Sequence, residues 1–103
     1  MPKNFIVCEA LQPELDGVVS TYLEDKCEEN LRRIFVEGSA LVHHYGNLYS
    51  GNCLSEDIIQ AGYEGLMKAV QRFDPGRGVR FVTFASHYIM GEMKRHLRQE
   101  ASF

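Results

Sequence analysis

Between Ser55 and Gln99 the apolar residues keep helical spacing with one hard stop, the pentapeptide Asp74-Pro75-Gly76-Arg77-Gly78. Proline biases the residue before it away from helical geometry, and two glycines permit positive φ. The chain must therefore leave one helix, make a tight connection and enter another. Upstream of the stop, Ser55 is a good N-cap, and Glu56 and Asp57 complement the positive end of a helix dipole. Ile58, Ile59, Gly62, Leu66, Ala69, Val70 and Phe73 then mark one face, which predicts a helix over about 55–73. Downstream, residues 82–99 contain no Gly or Pro except Gly91, which predicts a further helix.

The first half of the chain reads the same way. Pro13 suits a first helical position, Glu14 and Asp16 fall in the first turn, and Leu15, Val18, Val19, Tyr22 and Leu23 recur at helical spacing over about 13–25. After Glu28 and Glu29, the set Leu31, Ile34, Phe35, Leu41, Val42 and Tyr45 repeats at three and four, with Gly38 on the same face. Residues 46–53, Gly-Asn-Leu-Tyr-Ser-Gly-Asn-Cys, carry dense turn chemistry and predict a loop. No strict alternation persists long enough for a strand, so the fold class is all-α, a compact bundle of about four helices.

With 103 residues, 45% hydrophobic and 24% charged, the chain is one compact domain rather than a disordered tail. Residues 1–27 form an N-terminal helical segment of unassigned role, and 28–103 the main helical domain. No apolar run approaches the roughly 18 residues of a membrane span. Glu9, Glu14 and Asp16 break up the start before any signal-peptide core, so a cytoplasmic location is expected. Cys8, Cys27 and Cys53 are odd in number and lack a C-x-x-C pair, which points to buried or free thiols. His43, His44, His87 and His96 show no i, i+4 pairing with one another or with Cys, and no metal or other cofactor is expected. The acidic pairs Glu28-Glu29 and Glu56-Asp57 flank helix starts, where dipole complementation accounts for them without catalysis.

The formal net charge of −3 counts at first against a nucleic-acid function. The average is uneven. Residues 1–64 carry four Lys and Arg against eleven Asp and Glu, a net −7, whereas residues 65–103 carry seven against three, a net +4. With residues about 100° apart, Phe81, Ala85, Ile89, Met93 and Leu97 cover the half of the last helix that packs on the bundle. Phe84, His87, Tyr88, Gly91, Lys94, Arg95 and Arg98 cover the other, with Arg77 and Arg80 just before it. Single-stranded nucleic acid suits such a mixture, since rings stack with unpaired bases for about 1–3 kcal/mol each while cations follow phosphates. Gly91 within a helix requires either close packing or close approach of a ligand. A second account stays open, in which Phe84 and Tyr88 fill a groove of the bundle and the cations are a solvated helix end that suits the dipole.

The run Glu56-Asp57-Ile58-Ile59-Gln60-Ala61-Gly62-Tyr63-Glu64-Gly65-Leu66-Met67-Lys68-Ala69-Val70-Gln71-Arg72-Phe73-Asp74, continuing through Gly78 to Phe81, Thr83, Phe84 and Ala85, resembles region 2 of bacterial RNA polymerase sigma factors of the sigma-70 family. Its continuation Ile89-Met90-Gly91-Glu92-Met93-Lys94-Arg95 resembles the sporulation and general-stress branch. The likeness covers about residues 28–99. It implies a non-enzymatic helical domain that docks on the β′ clamp helices of core RNA polymerase and recognises the minus-ten promoter element through the single-stranded non-template strand. It also admits an anti-sigma factor as a partner. By position, Asp57, Gln60, Tyr63, Glu64 and Met67 are expected to face polymerase. Arg77, Arg80, Phe84, His87, Tyr88, Gly91, Lys94, Arg95 and Arg98 are expected to face DNA.

Departures from the family pattern carry their own expectations. Ala61 stands where the family often has Glu, removing a polar contact to polymerase. Val82 replaces the usual Ser or Thr and forfeits an N-cap oxygen unless Thr83 serves. His87 and Tyr88 stand where the housekeeping branch usually has two Trp, which bears on base preference. The chain ends at Phe103 before the family's helix-turn-helix, as an excised domain or a naturally short partner of a split factor does. The alternative function is a sigma-like protein-interaction module that does not touch DNA. It is favoured if Phe84 and Tyr88 are buried or the cations scatter over several faces.

Overall fold

The computed structural model describes residues 13–50 and 56–101. Four α-helices follow in order, α1 (Pro13–Glu24), α2 (Glu28–Ser50), α3 (Glu56–Arg72) and α4 (Phe81–Ala101), with a single 3₁₀ turn, Pro75–Arg77, between the last two. The expected all-α bundle is borne out, and no strand occurs among the described residues. No helix among them is long and apolar enough to cross a membrane.

Burial follows the helical spacing. Leu15 and Val19 of α1, Ile34, Leu41 and Val42 of α2, Leu66 and Ala69 of α3, and Phe81, Ala85, Ile89 and Met93 of α4 meet in one core. Leu97, expected on the same side of α4, is half-buried against it. Val82 and Ser86 widen the buried face of α4, and the Ser86 hydroxyl donates to the Val82 carbonyl at 2.8 Å, so its polarity is satisfied inside the core.

One boundary differs from expectation. α2 continues through Ser50, so Gly46, Asn47, Leu48 and Tyr49 are helical rather than part of a loop. A glycine in a helix interior costs only about 1 kcal/mol relative to alanine. Here Gly46 is buried and Tyr49 packs against the core, and that packing outweighs the turn propensity. The remainder of the expected loop, with Cys53, and the Ser55 cap lie outside the described residues, as does Cys8. Cys27, between α1 and α2, is a free and exposed thiol.

The stop at 74–78 works as its sequence requires. Asp74 is extended (φ −124°, ψ 103°), its carboxylate accepts the Gly76 N–H at 3.0 Å, and its carbonyl accepts the Arg77 N–H at 3.1 Å. Of the two glycines, Gly78 alone uses the left-handed region, at φ 78° and ψ 11°. α3 and α4 pack closely on either side of this connection. A Cβ at Gly65 would lie 2.7 Å from Ile89 Cα, so the two backbones touch there and only glycine fits.

The start of α4 has an unexpected cap. Arg80 is its flanking residue, its carbonyl accepting the Phe84 N–H at 3.1 Å. Val82 and Thr83 lie inside the first turn, so neither is the N-cap, and the capping oxygen comes instead from Asp16 on α1, whose Oδ1 accepts the Phe81 N–H at 3.0 Å.

Candidate nucleic-acid interface

The chain stop, the end of α3 and the first two turns of α4 enclose an open concavity of about 560 Å³, lined by Arg72, Phe73, Asp74, Arg77, Val79, Phe84 and Tyr88. Its floor is a relay of rings. Phe81, 1% exposed, meets Phe73 edge-on at a centroid distance of 5.2 Å; Phe73 meets Phe84 at 5.5 Å, and Phe84 meets Tyr88 at 5.1 Å. The Arg72 guanidinium carbon lies 5.7 Å from the centre of the Tyr88 ring, within cation–π range. Phe84 and Tyr88 are half-buried, anchored by their neighbours on one side while still lining the opening. Arg77 stands exposed at the rim, 3.7 Å from the Asp74 carboxylate, and Val79 adds exposed apolar surface. Such a floor and rim can stack a planar ring and attract an anion beside it.

Of the residues expected to face DNA, Arg77, Phe84 and Tyr88 therefore come together. His87, Gly91, Lys94 and Arg98 are exposed along the adjoining stripe of α4. A Cβ at Gly91 would meet nothing within 4 Å, so packing among the described residues does not account for that glycine. The other two cations are turned elsewhere. Arg80 engages Asp16 of α1 through Nε and Nη2, both 2.9 Å from Oδ2. Arg95 lies 3.7 Å from Glu92 and helps line a second concavity. The cations thus do not share one surface, since Arg80 meets α1 and Arg95 lines the second concavity, while Lys94 and Arg98 are exposed outside both concavities.

That second concavity, about 250 Å³, lies between α3 and α4 and is lined by Asp57, Gln60, Ala61, Glu64, Glu92, Arg95, His96 and Gln99. It brings together three of the five residues expected to face polymerase, Asp57, Gln60 and Glu64, all exposed. Tyr63 and Met67 are half-buried on the neighbouring side of α3, where the Tyr63 ring lies 6.0 Å from that of Phe35 on α2. Glu92 holds the two helices together at this point, accepting from Lys68 Nζ at 2.6 Å. Among the described residues, no three His, Cys, Asp or Glu side chains converge as metal ligands would.

Sequence reasoning passed over Arg72, Phe73 and Val79 as site residues. Phe73 reads as core by helical spacing, and it does touch Phe81, but it also forms the wall of the groove. The signal that finds it is the recurrence of Phe on both sides of the stop, at 73, 81 and 84.

The chain matches the family model for Sigma-70 region 2 over residues 37–103, which takes in most of α2 and all of α3 and α4. The chain belongs to the sigma-70 family, in its region 2. It is 40% identical over 72 residues to the RNA polymerase sigma-F factor of Kitasatospora aureofaciens, covering 68% of this chain and 24% of that protein. It is 36% identical over 91 residues to the RNA polymerase sigma-B factor of Bacillus subtilis (strain 168), covering 84% and 34%, and 34% identical over 84 residues to that of Bacillus anthracis, covering 81% and 33%. The region 2 chain thus spans about a quarter to a third of the length of these relatives. No solved structure matched it. Within the region 2 match lie both concavities; α1, with Asp16, precedes it.

Proposed function

We propose that this region 2 chain acts in bacterial transcription initiation, holding core RNA polymerase at one end of the α3–α4 pair and capturing unpaired bases of the minus-ten element's non-template strand at the other. The observation that carries the reading is the arginine-rimmed aromatic concavity of Arg72, Phe73, Arg77, Phe84 and Tyr88, with Lys94 and Arg98 exposed farther along α4. Extruding a base from a duplex costs a few kcal/mol, and a stacking platform returns about 1–3 kcal/mol per base, so one or two captured bases hold a melted segment open. The work is binding, and it asks no nucleophile, metal or cofactor of this chain. The sigma-F and sigma-B likenesses fit the sporulation and general-stress branch, and with it an anti-sigma factor as a third partner in the cytoplasm.

On the polymerase side, Asp57, Gln60 and Glu64 present carboxylate and amide groups to a basic partner surface, with Tyr63 and Met67 supplying apolar contact. The decisive test separates the two sides. Phe84→Ala and Tyr88→Ala are expected to weaken binding of single-stranded minus-ten DNA, by fluorescence anisotropy, while pull-down of core polymerase stays at the wild-type level. Equal loss of both activities rejects the division. A second reading, an interaction module that does not contact DNA, draws on the engagement of Arg80 and Arg95 with carboxylates of the same chain. It predicts that neither ring substitution alters any binding to single strands.

A further inference from the structure

The Asp16 carboxylate is held in a site built from a guanidinium and a helix-start N–H. Its Oδ2 takes two guanidinium contacts from Arg80, Nε and Nη2 each at 2.9 Å, and its Oδ1 takes the Phe81 N–H at 3.0 Å. This is the forked, charge-assisted pattern by which arginine and a helix start bind carboxylate or phosphate alike. Arg80 directly follows Val79 of the groove lining in the chain and precedes Phe81, the buried ring that backs Phe73, so it adjoins the surface already described. We infer that α1 is a tethered competitor for the nucleic-acid backbone: Asp16 masks Arg80, and a strand entering the groove gains one further phosphate contact only by displacing it. The inference rests on the reading of the groove as a site for single-stranded DNA.

Three observations make the mask a displaceable one. The Arg80 and Asp16 side chains remain 47% and 31% exposed, so water and ions reach the pair, and exposed ion pairs are weak and screened. Leu15, Val18 and Val19 bury α1 in the core around Asp16, so release needs rotation of side chains rather than undocking of the helix. Asp16 belongs to the acidic half of the chain and Arg80 to the basic half, and α1 precedes the segment matched as region 2, so the contact lays an anionic element from outside that segment against its cationic surface.

The test compares Asp16→Asn with the wild-type chain. Asparagine keeps a side-chain oxygen for the Phe81 N–H while removing the charge that pairs with Arg80. Binding of an oligo-dT single strand is measured by anisotropy across a salt series. One extra phosphate contact steepens the log–log salt slope by about 0.7, so the variant's advantage over wild type grows roughly threefold between 200 and 50 mM salt. Arg80→Ala in the Asp16→Asn background removes that gain. Glu24→Gln, the same charge change at the far end of α1, leaves the slope at the wild-type value. An unchanged slope in Asp16→Asn, including one accompanied by a lower melting temperature, makes Asp16 a structural cap and overturns the inference, as does an equal gain from Glu24→Gln. If no form of the chain binds the strand, the reading of the groove fails, and a titration with inorganic pyrophosphate followed at the Phe81 amide by NMR still decides the mask. Tighter binding to Asp16→Asn than to wild type supports it, and equal binding overturns it.

Discussion

The two concavities of this domain are made by the same pair of helices and yet offer opposite chemistry. One lies at the turn between α3 and α4, floored by Phe73, Phe84 and Tyr88 and rimmed by Arg72 and Arg77. The other lies farther along the pair, lined by Asp57, Gln60, Glu64 and Glu92, with Arg95 and His96. The first is apolar in its floor and cationic at its edge, which suits flat rings that carry phosphates. The second has no Phe or Tyr in its lining and presents carboxylates, which suits a basic protein surface. A net charge of −3 describes neither. Segregation along one helix pair, rather than overall composition, is what gives a small acidic domain a surface suited to a polyanion.

The largest expected effect breaks the first concavity from beneath. Phe81 is fully buried and carries Phe73, so Phe81→Ala should cost about 3–5 kcal/mol of stability, read by denaturant unfolding, and should loosen the aromatic side first. Gly65→Ala strikes both concavities at once, because the added methyl collides with Ile89 and the Tyr88 carbonyl. Overpacking of this kind costs about 1–3 kcal/mol, and a lowered melting temperature together with loss of both binding activities is the expected result. Tyr88→Ala leaves the crossing intact and removes the ring that Arg72 covers. A loss of about 1–3 kcal/mol in single-strand affinity, with core polymerase binding retained, sharpens the contrast. Smaller still is the exchange of exposed charges. Glu64→Gln should weaken polymerase binding by about 0.2–1 kcal/mol without touching the DNA salt slope, whereas Arg98→Gln should flatten that slope by about 0.7 and leave polymerase binding alone. Similar changes from both substitutions would erase the distinction between the two sides.

Much of this arrangement is legible along the chain because it is local. The helices of α1, α3 and α4 follow from apolar spacing, and their meeting follows from a proline and a left-handed glycine at 75 and 78. Phe84, Tyr88 and Arg77 are found as partners because one turn of chain joins them. What escapes is nonlocal. The Asp16–Phe81 cap joins residues 65 positions apart, and nothing in the spacing of either helix announces it. Arg95 and Lys94 are neighbours in sequence, yet a 100° rotation sends one toward Glu92 and the other to solvent. The end of α2 escapes for a related reason. Turn propensity at Gly46 and Asn47 is a local preference of about 1 kcal/mol, and burial of Tyr45 and Gly46 against the rest of the domain overrides it.

The close crossing at Gly65 has a mechanical consequence. No compliant side chain separates α3 from α4 there, since backbone meets backbone, and close-packed protein interiors transmit displacement with little compression. A displacement of α3 is therefore passed to α4 at that crossing with little loss. Tyr88, whose carbonyl lies at the crossing, also lines the aromatic groove. The orientation of the groove and that of the acidic end are then linked through Gly65, and a side chain inserted there would disturb both together.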